Sequence, residues 1–229
     1  MMLRDLAVWL RPAGWPALPA AVRLRVRALA WLAIAAQVVF VVGWIIAGAL
    51  EPHYSPVRSY VSELGRRGAA NPWIFDVSVV VWGVGFISLG VAMGPALRTR
   101  RWARMAPALF VLAGVRAILD APLRLDCATT ISRLCRSREK AGSLSWREYG
   151  HIWASFGIEL SLLLTPFALA RSLWPGRMAR LVLAGGALVA VALVLLELRI
   201  SGGCQEVEGA PSETRHGYSA SPAASSALL

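Results

Sequence analysis

The sequence predicts an all-α fold, a polytopic bundle of about five transmembrane helices, and two observations carry this prediction. The 229 residues are 57% hydrophobic and 16% charged, with a mean hydropathy of +0.56, and soluble domains rarely combine such values. The apolar residues also come in long blocks, and a helix needs roughly 20 consecutive apolar residues to cross a bilayer. We therefore expect an integral membrane protein.

The apolar blocks divide the chain into spans and connections. The first block carries Gln37 as its one strongly polar side chain, and it is longer than the core of a secretory signal, so it is expected to remain as an anchor. The expected spans are residues 28–50, 73–94, 105–123, 151–173 and 181–198. A basic segment, 1–27, precedes them, and a tail, 201–229, rich in Gly, Ser, Ala and Pro, is expected to be disordered.

The formal net charge of +11 resides mainly in arginines beside the spans. Because they do not form a soluble basic domain, we expect membrane lipids as partners and no nucleic acid. The arginines predict a cytoplasmic N-terminus, although the opposite loops are also basic. A second clue is that Cys127 and Cys135 share one loop, where an oxidising compartment would allow a disulfide; that loop is expected outside.

A short amphipathic helix is expected after the first span. Ser55 is a suitable N-cap, Pro56 suits a first helical position, and Gly65 suits a helix end. The apolar residues between them recur at helical spacing: Val57, Tyr60, Val61 and Leu64. Asn71 and Pro72 repeat the same start signal before the second span.

Charged residues inside the spans need a reason, because each costs about 2.5–3.5 kcal/mol near a helix centre. Arg116 and Asp120 are four residues apart on one helix, so an intramembrane ion pair between them is expected. Glu159 lies two turns beyond His151, with Ser155 between them on the same helix face.

Four polar residues of the same membrane side are the candidate catalytic residues: Ser62, Glu63, Asp126 and His151. Carboxylates and an imidazole around a serine are the groups that general-base or metal-assisted hydrolysis requires. The cofactor is unknown. Zinc is the metal considered, although the sequence has neither a His-x-x-x-His nor a Cys-x-x-Cys pair.

These residues lie in segments that resemble a bacterial membrane-protein family, domain of unknown function 998, over roughly residues 28–200. The resemblance is carried by Tyr-Ser-Pro-Val-Arg-Ser-Tyr-Val-Ser-Glu-Leu-Gly at 54–65, Gly-Ala-Ala-Asn-Pro at 68–72, Asp126-Cys127, and Ser145-Trp146 leading to His151. It implies a helical bundle, usually of six spans, with polar residues gathered on the non-cytoplasmic side. A frameshift or truncation would explain a polar tail where a sixth span is expected.

A more distant likeness is to membrane hydrolases of the alkaline-ceramidase type, which implies Ser, Asp and His around a metal near one membrane face. The function predicted is that of an integral membrane protein with a polar pocket at the outer face and undetermined molecular activity. Two classes stay open: a metal-assisted hydrolase of a lipid or lipid-linked substrate, and a non-catalytic protein that binds lipid or an unidentified protein partner. A transporter has less support, because matching Gly or Pro breaks in two halves are absent.

Overall fold

The computed structural model describes residues 18–97 and 104–209, and over that part all regular structure is helical. The helices are α1 (Ala20–Leu50), a 3₁₀ helix (Val61–Gly65), α2 (Pro72–Leu97), α3 (Met105–Asp120), α4 (Arg133–Lys140), α5 (Trp146–Leu173) and α6 (Arg177–Gly209). The predicted all-α fold class is confirmed. Residues 1–17 of the basic segment lie outside the described residues, and α1 already includes its last eight, 20–27.

Four helices are long and apolar enough to cross a membrane: Ala20–Leu50, Pro72–Pro95, Trp146–Leu173 and Arg177–Arg199. The chain is therefore an integral membrane protein. α3 has 16 residues, which is about 24 Å at 1.5 Å per residue and less than the ~30 Å hydrocarbon core. It ends three residues before the expected end of the third span, because Pro122 has no N–H with which to continue the helix.

The long helices form a row in which each packs against its neighbours along the chain: α1 on α2, α2 on α3, α3 on α5 and α5 on α6. The connections 51–71 and 121–145 meet at one end of this row, and α6 also contacts the first of them there. Arg67 N–H donates to the carbonyl of Leu125 at 2.9 Å, and Tyr60 Oη donates to Glu197 Oε1 at 2.7 Å. We call this end the loop face.

Glycines allow α2 and α3 to approach backbone to backbone. A Cβ added to Gly83 would lie 2.6 Å from the carbonyl oxygen of Gly114, and one added to Gly114 would lie 2.4 Å from that of Gly83. Ala113 and Ala117 are fully buried in the same interface. Small residues are what close packing of membrane helices requires. This contact brings the ends of α2 and α3 together beneath the loop face.

The polar residue of α1 is also accounted for by packing. Gln37 Oε1 accepts a hydrogen bond from Trp82 Nε1 of α2 at 2.9 Å. The Trp82 ring in turn stacks on Phe40, with 4.5 Å between centroids. An unbonded amide would be costly at this depth, so the pair supports the placement of α1 against α2.

The short helix after α1 is present, but it starts later than its capping signals predict. The carbonyl of Ser55 accepts the N–H groups of Arg58 and Ser59, at 3.1 and 2.8 Å, in a separate turn. Gly65 ends the helix without a positive φ, whereas Gly68 has a φ of 80°. Within the 3₁₀ helix, Glu63 and Leu64 are buried, whereas a helix lying on the surface would leave one of its sides exposed. Pro72 does begin α2, as expected.

The last helix is longer than expected. α6 continues to Gly209, nine residues into the tail that was expected to be disordered, and residues 210–229 lie outside the described residues. No proline interrupts the chain between Arg177 and Gly209, so each added residue extends the helix by a further backbone hydrogen bond.

Candidate acid–base site at the loop face

One buried carboxylate, Glu63, joins the two loops of the loop face, and a second, Glu51, braces the loop 51–71 internally. Glu63 is 2% exposed, and its carboxylate accepts the N–H of Thr130 at 2.9 Å and the hydroxyl of the same residue. Glu51 accepts Arg66 Nη2 at 2.6 Å and the N–H of Ala70 at 2.7 Å. A carboxylate satisfied in this way can be buried at tolerable cost, and it fixes the loop that donates to it.

A second carboxylate cluster fixes the start of α5. Asp126 accepts the N–H and the hydroxyl of Ser145, at 2.7 and 2.9 Å, while its own N–H donates to Glu148 Oε2 at 3.0 Å. Ser145 is the N-cap of α5, and its Oγ accepts the N–H of Glu148 at 3.4 Å. The cluster is a capping box in which Asp126 takes the place that Glu148 would occupy. It orients the first turns of α5, which carry His151.

The loop before α5 is also cross-linked. Cys127 and Cys135 are joined by a disulfide, with 5.9 Å between their Cα atoms. Cys135 lies in α4, whose N-cap Ser132 accepts its N–H at 3.2 Å. The disulfide therefore ties α4 to the residue that follows Asp126.

A small pocket opens between these loops and the ends of α2, α3 and α5. Its polar lining consists of Ser62, Asp76, Asp120, Arg124 and His151. Its free volume is ≈ 10 Å³, about what a single water molecule requires. Arg124 Nη2 contacts Asp76 Oδ2 at 2.5 Å, so this charge pair closes one side of the pocket.

His151 and Asp120 meet across the interface between α5 and α3. Nδ1 of the imidazole lies 2.8 Å from Asp120 Oδ1, a contact that is short but not aligned as a hydrogen bond, so Oδ1 is buried without one. Both side chains are about nine-tenths buried. The other imidazole nitrogen, Nε2, lies 3.4 Å from Ser155 Oγ. Ser155 Oγ also lies 3.5 Å from Asp120 Oδ2, so the three side chains form one cluster that contains the residue types of a hydrolytic triad.

The four candidate catalytic residues separate into two groups. Ser62 and His151 line the pocket, whereas Glu63 and Asp126 are bonded to loop amides and are outside its lining. Asp120 and Ser155 both contact His151, but neither was predicted from the sequence as a candidate catalytic residue. The four-residue step from His151 to Ser155 was visible in the sequence, but the contact with Asp120 joins two helices and left no signal.

The expected ion pair of Arg116 with Asp120 is not found: in the described part of the chain, the Asp120 carboxylate lies against His151 and Ser155. Arg116 instead extends along α5, where a Cβ on Gly157 would lie 1.6 Å from its Nη1. The spacing along one helix was compatible with a pair. On α5, Asp120 contacts His151 and Ser155, whereas Arg116 packs on Gly157.

The donors of the loop face do not fit a metal ion. Within residues 18–97 and 104–209, no group of three or more His, Cys, Asp or Glu is arranged to hold one. Structural and catalytic zinc sites use at least three protein ligands, whereas here Asp126 and Glu148 are bonded to backbone amides.

The match to a family model covers residues 34–203, and that family is described as protein of unknown function, DUF998. The match spans well over half of the chain, and the chain belongs to this family. No curated protein and no solved structure matches it.

Glu63 should make stability depend on pH. Burial raises the pKa of its carboxyl above the usual glutamate value, and the hydrogen bonds from Thr130 lower it by less. The folded protein therefore holds this proton more tightly than the unfolded chain. We expect its contribution to the free energy of unfolding to be largest below about pH 4.5 and to fall as pH rises through the raised pKa.

Thermal unfolding in detergent between pH 4 and 8 measures this effect. Glu63→Gln should flatten the decline in Tm that the parent shows as pH rises, whereas the same change at exposed Glu139 should preserve it. An unchanged pH profile in Glu63→Gln would refute the assignment.

Proposed function

We propose that this DUF998 protein is a membrane-embedded hydrolase that acts on an ester of a lipid or lipid-linked substrate, with His151 as its general base. The single observation that supports this most strongly is the series Ser155 Oγ, His151 Nε2, His151 Nδ1 and Asp120 Oδ1, with contacts of 3.4 and 2.8 Å. A carboxylate this close to an imidazole stabilises its protonated form. The imidazole raises the nucleophilicity of the hydroxyl.

The reaction follows from these positions. His151 Nε2 takes the proton of Ser155 Oγ while the oxygen forms a bond to the ester carbon. The imidazolium then gives this proton to the departing alcohol, which leaves an acyl group on Ser155. A water molecule repeats the step, releasing the acid and restoring the hydroxyl. The pocket lined by His151 and Asp120 has about the volume that one water needs, and Ser155 lies outside its lining.

The membrane and its orientation are part of the same proposal. We infer that the protein lies in the plasma membrane of a bacterial cell, with its N-terminus in the cytoplasm and the loop face outside. The Cys127–Cys135 disulfide supports this orientation, because such bonds persist in oxidising compartments. The arginines at the start of α1, which include Arg23, Arg25 and Arg27, support it through the preference of basic residues for the cytoplasmic side.

A non-catalytic role, binding lipid or a protein partner, is the second candidate. The small volume of the pocket favours it, together with the internal pairing of Asp76 with Arg124 and of Asp120 with His151. Under this alternative the same contacts serve only to hold α2, α3 and α5 together.

Fluorophosphonate labelling tests the catalytic proposal without a known substrate. The serine oxygen should bond to phosphorus as fluoride leaves and His151 accepts the proton. We expect parent protein to be labelled, Ser155→Ala to be unlabelled, and His151→Gln and Asp120→Asn to react at least about 100-fold more slowly.

Ser62→Ala is the matched control, since Ser62 lines the pocket but forms no hydrogen bond with His151 in the described part of the chain. It should be labelled like the parent. Absence of labelling in well-folded parent protein would reject the serine-hydrolase proposal and favour the non-catalytic role.

Alkaline phosphatase fusions test the orientation, because this reporter is active only outside the cytoplasm. A fusion after Lys140, at the loop face, should be active, and one after Gly176, in the connection between α5 and α6, should be inactive. The reverse pattern would overturn the proposed topology.

A further inference from the structure

Arg116 carries a charge within the bundle without an acidic partner in the described part of the chain. It lies in α3, four residues before the end of that helix, and is half-buried. Among the side chains that the structure describes, none forms a salt bridge within 4.0 Å or a hydrogen bond with it. A guanidinium stays protonated and has five N–H donors, so this position is costly unless something accepts them.

The carboxylates of the neighbouring helices are directed elsewhere. Asp120 contacts His151, and Glu197 accepts the hydroxyl of Tyr60. Glu159 is two residues beyond Gly157 on α5, which places it about 200° around that helix, on the side turned away from Arg116. The acceptor for Arg116 is therefore not an acidic side chain of these helices.

Gly157 makes room for the guanidinium. A Cβ at this position would lie 1.6 Å from Arg116 Nη1, 2.5 Å from Cζ and 3.0 Å from Cδ. The end of the Arg116 side chain therefore occupies the space that any other residue at 157 would fill. We call the space that Gly157 leaves for this guanidinium the notch, and the line along which α3 and α5 pack the seam.

Exposed apolar side chains border the seam on both helices, as expected of a surface that contacts lipid. On α3, positions one turn before and after Arg116 hold Leu112 and Leu119, which are 43% and 61% exposed. On α5, positions one turn before and after Gly157 hold Trp153 and Leu160, which are 69% and 42% exposed. Residues three or four apart lie on the same helix face. A charge bordered by exposed apolar surface matches an amphiphile, whose acyl chains contact the apolar residues.

We propose that the notch formed by Arg116 and Gly157 binds the phosphate of an anionic phospholipid from the leaflet at the loop face. The planar guanidinium can donate two parallel hydrogen bonds to phosphate oxygens. Arg116 is about 6 Å along the axis from the end of α3, so its long side chain and a lipid phosphate can meet near the interface. The proposal does not depend on the hydrolase proposal, since it uses neither His151 nor Ser155.

Lipid retention by purified protein tests the site. The protein is reconstituted into nanodiscs of phosphatidylcholine with roughly 10–30% phosphatidylglycerol. It is then extracted, and the bound lipid is measured by native mass spectrometry. We expect parent protein to retain phosphatidylglycerol, and Arg116→Gln to retain at least about tenfold less, as loss of a charge-assisted contact predicts. Arg180→Gln, at an exposed position near the start of α6, should behave like the parent.

Gly157→Ala provides a positional test that keeps the charge. Because its Cβ would meet the flexible end of Arg116, the guanidinium should move while the helices remain packed, and phosphatidylglycerol should be lost as in Arg116→Gln. Gly185→Ala in α6 is the matched control, since no atom lies within 4 Å of its added Cβ. A melting temperature recorded for each variant separates loss of lipid from loss of fold.

Two results would overturn the proposal. One is equal retention of phosphatidylglycerol by parent, Arg116→Gln and Gly157→Ala. The other is displacement of the lipid by millimolar inorganic phosphate, which would show that the site recognises free phosphate and not an amphiphile. Retention that resists inorganic phosphate and requires both Arg116 and Gly157 would support it.

Discussion

The contact between His151 and Asp120 joins α3 to α5 where both approach the loop face, and the candidate site depends on it. Two titratable side chains that are about nine-tenths buried are tolerable there only because each lies against the other. The close packing of α2 on α3 through Gly83 and Gly114 sets the position of Asp120. The capping cluster at the start of α5 sets that of His151.

The acidic residues of the loop face divide by what they accept. Glu63 and Asp126 accept loop amides and hydroxyls, and their role is to give the loops one conformation. Asp120 lies against an imidazole and keeps one buried oxygen without a hydrogen bond. This difference is the reason that the proposed hydrolase uses Asp120, and not Glu63 or Asp126, as its carboxylate.

The fold class was predictable because the bilayer imposes one rule, that every backbone group be satisfied within a long apolar helix. The limits of α3 were less predictable, since the hydrophobic block continues past Pro122. Of the candidate site, His151 was identified from its residue type and its place at a span start. Its partner Asp120 was not identified, because the four-residue spacing from Arg116 indicated an ion pair within α3. The contact of Asp120 with His151 instead joins α3 to α5. The Ser-x-x-Glu sequence of Ser145 and Glu148 signals the start of α5, but it does not indicate that Asp126 takes the acceptor role of Glu148.

A double-mutant cycle on His151 and Asp120 tests the central contact most directly. The free energies of unfolding of His151→Gln, Asp120→Asn and the double variant would be compared with the parent in detergent. We expect non-additivity of about 1–3 kcal/mol, as for residues in direct polar contact. Effects that add to within about 0.5 kcal/mol would show that the two side chains are independent, and would contradict the site described here.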